Sequence, residues 1–130
     1  MYRWVEHTGE MQIEIEAGSE EAVFAEALHA LAWLIGGDGG GEPVWREVAV
    51  DAHERAALLV AWLDELVYLA ETEDLIPDGT ERIELSDRGL VATVRCHRGN
   101  PRHVIKAATY HGLAFERAGA GFRATVVLDV

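Results

Sequence analysis

Four short stretches of the 130-residue chain carry side chains able to do chemistry. "HTGE" sets His7 three residues before Glu10. "WLDELVYL" holds the adjacent acids Asp64 and Glu65, and "KAATYHG" spans Lys106, Tyr110 and His111. The chain closes on "VVLDV", with Asp129 and Val130. Carboxylates ligate hard cations, which prefer oxygen. Imidazoles close to carboxylates can move protons. Each stretch also has a plainer reading. His7 and His111 suit backbone hydrogen bonds at strand ends, Asp64 and Glu65 a solvated helix face, and Lys106 a surface ion pair. Asp129 reads equally as the solubilising end of an edge strand or as a ligand.

Positioning these groups requires elements, and hydrophobic periodicity supplies them. "MQIEIEA" (Met11–Ala17) alternates strictly, with Met11, Ile13, Ile15 and Ala17 on one face and Gln12, Glu14 and Glu16 on the other, as in a half-buried strand. "YRWVEH" before it predicts a short partner strand. Ser19 suits a helix N-cap, with Glu20 and Glu21 at the positive end of the dipole. Val23, Phe24, Ala27, Leu28, Leu31, Leu34 and Ile35 then form one stripe, stopped by "GGDGGGEP". "VWREVAVDA" (Val44–Ala52) predicts a strand. A second helix is expected from His53 to Glu73, with Leu58, Leu59, Trp62, Leu63, Leu66 and Leu69 inward and Asp64 on the opposite side. "IPDGT" should break that helix. "RIELS", "LVATVRCH", "VIKAATY", "LAFER" and "FRATVVLDV" follow as strands, with "DRG" and "AGAG" as hairpin turns. Along the last strand Val127 and Asp129 share one face, and Val126, Leu128 and Val130 the other. Two helices among many strands predict a single α+β domain over 1–130, its helices packed on mostly antiparallel sheet.

Composition narrows the function classes. Eleven Lys and Arg against twenty-three Asp and Glu leave a net charge of −12. Such a surface repels phosphate backbones and favours cations or a basic protein. No apolar stretch is long enough to span a bilayer, and the start of the chain lacks the basic and apolar regions of a signal peptide. Cys96 is the only cysteine, which suits a reducing cytoplasm. Phosphate-loop, dinucleotide, nucleophile-elbow and zinc-binding spacings are all missing. No feature of the sequence sets an oligomeric state.

In their order and relative positions, "HTGE", "WLDELVYL", "KAATYHGL" and the terminal "VVLDV" resemble the archease family, over essentially the whole chain. The resemblance implies a compact α+β domain. It also implies a non-enzymatic accessory role toward the RtcB-type tRNA-splicing RNA ligase. That enzyme charges its own histidine with GMP from GTP, using divalent metal, before joining RNA ends. Archeases promote the charging step and repeated turnover. By the same resemblance, Glu10, Asp129 and Val130 would hold a divalent ion, calcium first, with manganese or magnesium as alternatives. His7, Asp64, Lys106, Tyr110 and His111 are candidates for contact with the ligase, in the cytoplasm and without stable direct binding to nucleic acid or membrane. One departure stands out: the family usually reads His-Thr-Ala-Asp where this chain reads His7-Thr8-Gly9-Glu10. The added methylene moves the carboxylate outward by about one bond length, which calcium tolerates better than magnesium. Two other readings are a metal-independent chaperone-like or scaffold module and a small hydrolase. The hydrolase would require Asp64, His7 and His111 to converge.

Overall fold

A computed structural model gives the element order β1 (Tyr2–His7), β2 (Glu10–Ala17), α1 (Glu20–Ile35), β3 (Asp38–Asp51), α2 (Arg55–Glu73), β4 (Leu75–Leu85), β5 (Gly89–Asn100), β6 (Ala107–Ala118) and β7 (Gly121–Asp129). It describes the backbone of residues 1–130 and every side chain except that of Asp38. The strands form two antiparallel sheets, one in the order β1-β2-β7-β6 and the other β3-β5-β4. This is the α+β architecture expected from the sequence. Both helices touch both sheets, so the core lies where the inner sheet faces meet the helices. Ile13, Ile15, Val126 and Leu128 come from the first sheet, and Ala92, Val94 and Cys96 from the second. Phe24, Leu28, Leu58, Trp62 and Leu66 are the helical contribution, and all of these are buried.

The helix ends follow from their residues. The Ser19 hydroxyl accepts the Ala22 N–H at 3.1 Å, satisfying one of the free donors of the first turn. Gly36 ends α1 with φ 57°, its N–H donating to Ala32 O at 3.0 Å, a conformation open to glycine at little cost. Helix α2 begins at Arg55, two residues later than the sequence expectation, and Arg55 ties the two helix starts together through Glu20 at 2.5 Å. The Trp62 indole N–H donates to Phe24 O at 2.9 Å inside the core, so a large apolar ring enters with its one polar atom satisfied.

Three sequence expectations change. The glycine run at 39–41, which in sequence only stops α1, belongs to β3 and pairs Gly39 and Gly40 with Gly99 and Arg98. A Cβ on Gly39 would lie 2.0 Å from Arg98 O, so the composition that reads as a breaker is what lets two backbones meet. "IPDGT" does stop α2, but it enters β4 through a bulge at Asp78. "VIKAATY" and "LAFER" are one strand, not two: β6 pairs Thr109 with Val127 and then Ala114 with Thr125. The intervening Tyr110–Leu113 form an excursion from the sheet.

Candidate functional site

The site is built at one end of the first sheet. A two-residue turn, Thr8–Gly9, closes β1 onto β2 and sets His7 opposite Glu10; Gly9 takes φ 73° there, where a side chain would be strained. On the other side of β2, Glu10 stands opposite Asp129. The neighbouring Gly9–Val130 contact carries a backbone bond, with Val130 N–H donating to Gly9 O at 3.3 Å. Antiparallel pairs alternate, so Glu10–Asp129 is the non-hydrogen-bonded kind, whose side chains come closest, with Cβ atoms about 4.5–5.5 Å apart. Lys106 N–H donates to Asp129 O at 2.9 Å, and Ala107 pairs with Asp129 from β6. The strand running to the end of the chain is therefore held on both sides.

Charge singles out this row. The same outer face of β2 carries Glu14 and Glu16. Glu14 is bonded to Arg3, which holds its carboxyl below the usual range, and Glu16 lies 3.4 Å from Arg123. Among the described residues, Glu10 and Asp129 have no ion-pair partner. Two like charges directly opposite on a sheet repel, and this pair is left to do so.

Beside the row lies a cavity of ≈ 320 Å³ lined by His7, Thr8, Glu10, Gln12, His111, Gly112 and Val127. The β6 excursion makes one wall. His111 N–H donates to Thr109 Oγ1 at 3.2 Å, and Gly112 turns the chain with φ 67°. Asp129 and Val130 stand next to the cavity rather than in its lining. Tyr110 is 68% exposed at the tip of the excursion, and Lys106 is exposed at its base.

Asp64 sits elsewhere. It projects from α2, off the buried stripe as the helical wheel requires, and its Oδ1 accepts the Ala108 N–H at 2.9 Å. Partial burial pushes its carboxyl above the ordinary range, and the Ala108 N–H offsets part of that rise. From sequence Asp64 reads as an acid available to a partner; the structure gives it a structural bond at the base of "KAATYHG". Nor does it join His7 and His111 in the cavity, so the three residues required by the hydrolase reading do not converge.

The donor set fits a hard divalent cation. Its carboxylate oxygens suit such an ion, and the imidazoles of His7 and His111 line the cavity beside them. Side chains alone do not complete a site. Among the described residues no cluster of three or more His, Cys, Asp and Glu is placed to hold a metal. Sequence reading missed Gln12 and Val127 as floor of the cavity, because only the register across β2 and β7 reveals them. It also missed Asp78, Arg95 and His97 on the second sheet. There Arg95 Nε donates to Asp78 Oδ1 at 2.6 Å, and His97 Nδ1 lies 2.8 Å from Oδ2.

Fold and site together define a small two-sheet α+β domain with an acidic sheet end. The Archease protein family (MTH1598/TM1083) matches residues 2–130, and the chain belongs to the archease family. The archease of Pyrobaculum neutrophilum is 30% identical, covering 99% of this chain and 95% of its own length. That of Archaeoglobus fulgidus is also 30% identical, at 99% and 98%. Among solved structures, the crystal structure of a Thermotoga maritima archease, described as a possible chaperone, superimposes with a TM-score of 0.70 at 28% identity, covering 100% of this chain and 98% of that one. The solution structure of Methanobacterium thermoautotrophicum protein 1598 gives 0.74 at 23% identity, covering 99% and 98%, a likeness of fold. Among the described residues no helix is long and apolar enough to cross a membrane.

Proposed function

We propose that this protein is a non-enzymatic, divalent-metal-binding activator of an RtcB-type RNA ligase, promoting its guanylylation and repeated turnover in tRNA splicing or RNA repair in the cytoplasm. The observation that carries the reading is the uncompensated Glu10–Asp129 row beside the His7–His111 cavity. Family membership supports the choice of partner. Glu10, Asp129 and the Val130 carboxylate would hold the ion, with calcium favoured because its coordination tolerates the longer Glu10 arm. When bound, a divalent cation supplies positive charge for triphosphate oxygens. The chain's own residues do the rest. Glu10 and Asp129 present oxygens at the mouth, while Gly9 O and the Lys106 N–H fix the position of the terminal strand. His7, Tyr110, His111 and the Lys106 side chain are exposed around the mouth, where a ligase surface can reach them.

The test is GMP labelling of a purified RtcB-type ligase with this protein at substoichiometric amounts. Labelling should accelerate, a chelator should remove the acceleration, and Asp129→Asn or a C-terminal extension should reduce it. Calorimetry on the protein alone should show calcium binding lost in the same variants. Full activation by the extended protein, or activation indifferent to chelation, would replace this reading with that of a metal-independent chaperone-like scaffold.

A further inference from the structure

A bare edge strand is a template for another strand, and three of the four sheet edges here are blunted. β3 carries Pro43 and a register shift between Gly40 and Val44. β4 has two bulges and lies against α1. β6 is shifted at its excursion, and Asp64 occupies its Ala108 N–H. β1 lies against α1 as well, through Trp4 and Trp33, but it carries no proline and no bulge: it pairs with β2 from Tyr2 to His7 with no register shift.

The direction of its free groups can be derived. Met1 and Glu16 exchange both backbone bonds, each 2.8 Å. Alternation along the ladder then turns Arg3, Val5 and His7 toward β2 and leaves the N–H and C=O groups of Tyr2, Trp4 and Glu6 pointing away from the sheet. An aromatic pair stands beside this row. Trp33, in the last turn of α1, is 64% exposed, and its ring centre lies 6.3 Å from that of Trp4. The Trp4 indole N–H is buried without an acceptor, a desolvation that nothing within the chain repays. Glu6 follows Trp4 on the same strand face, exposed and without an ion-pair partner among the described residues.

We propose that the β1 edge, with Trp4, Glu6 and Trp33, is a docking site for an extended basic segment of a partner protein, which adds to the first sheet as a fifth strand. The backbone of the segment would satisfy Tyr2, Trp4 and Glu6. A Lys or Arg would sit between the Glu6 carboxylate and the Trp33 ring, combining charge pairing with a cation–π contact. Charge selects this occupant: at −12 the chain attracts a basic segment and repels a second copy of itself. Because β1 ends at His7, a docked strand would run up to the acidic cavity. The inference requires neither metal nor ligase, so its test stands apart from that of the proposed function.

The probe is a short synthetic peptide alternating valine and lysine, titrated into the whole isotope-labelled protein. Amide shifts should concentrate in Tyr2–His7 and at the Trp33 indole, and hydrogen exchange of Tyr2, Trp4 and Glu6 should slow. Trp33→Ala should weaken binding about fivefold, the loss of one cation–π contact. Glu6→Gln should weaken it as well, and both side chains are exposed, so the fold should survive. The proposal is overturned if β1 amides stay still at millimolar peptide, if the glutamate counterpart binds equally, or if N-methylating the peptide backbone changes nothing. Protection that rises with protein concentration alone would overturn it in favour of a second copy.

Discussion

The two sheets each present an acid at an irregular strand, and they treat it in opposite ways. On the second sheet Asp78 occupies a bulge of β4 and is bonded by Arg95 and His97 from the adjacent β5. Burial alone would raise its carboxyl; the bonds from Arg95 and His97 outweigh that and hold it below the ordinary value of 3.8. On the first sheet Glu10 and Asp129 face each other beside the β6 excursion, with no ion-pair partner among the described residues. The difference lies in what has been left unsatisfied. A neutralised acid is finished structure, whereas two facing acids without a counter-ion leave an electrostatic opening for something else. The excursion matters equally, because it makes one wall of the cavity that Glu10 lines and that Asp129 stands beside, while Asp78 in its bulge bonds within its own sheet.

Substitutions test that contrast. The largest effect should be on the first sheet: Asp129→Asn should lower calcium affinity at least about tenfold by calorimetry. The matching change, Asp78→Asn, should leave calcium binding untouched. Next comes the bond beneath the site. Asp64→Ala leaves the Ala108 N–H without its acceptor and should cost about 1 kcal/mol in denaturant unfolding. Asp64→Asn keeps an acceptor oxygen and should recover most of it. The sign with pH follows from the raised carboxyl of Asp64: the folded state binds its proton more tightly than the unfolded one, so ionisation of Asp64 weakens folding as pH rises through that range.

Smaller still is the stability carried by Asp78. Asp78→Asn should cost about 0.5 kcal/mol at neutral pH, the value being discounted because Arg95 is largely solvated. Its carboxyl is lowered on folding, so this contribution is present above the unfolded value and is lost as pH falls through the folded one; the cost of the substitution should vanish in acid unfolding curves. The smallest effect has the opposite sign. Without metal, Glu10→Gln should raise stability by about 0.3 kcal/mol, since it removes a repulsion. With calcium added, the native chain should overtake the variant. A loss of stability in the metal-free variant would show that Glu10 has a favourable partner and that the contrast between the sheets is false.

Much of this was legible in sequence because local pattern set it. The β2 alternation, both apolar helix stripes, the Ser19 cap and the hairpin turns all rest on near neighbours. The placing of Asp129 on the face away from Val126 and Leu128 also followed from period two. Long-range pairing was not legible. Nothing local says that Gly39 must meet Arg98, that Asp64 reaches Ala108 forty-four residues on, or that β6 stays one strand through its excursion. The same holds for Asp78, whose partners come from the adjacent strand, and for Trp4 and Trp33, which meet only when α1 packs on β1. The candidate site was reached through its motifs. Its cavity was not, because register across three strands builds it.

Cys96 is fully buried on the inner face of β5, and burial, followed by the nearby Asp78 charge, pushes its thiol up to about 11. A protonated, enclosed sulfur does not react with alkylating reagents while the sheet is closed. As the chain's only thiol, it forms a built-in gauge: labelling rates divided by those of the unfolded chain give the fraction of time β5 stands open, and the native sequence provides the probe.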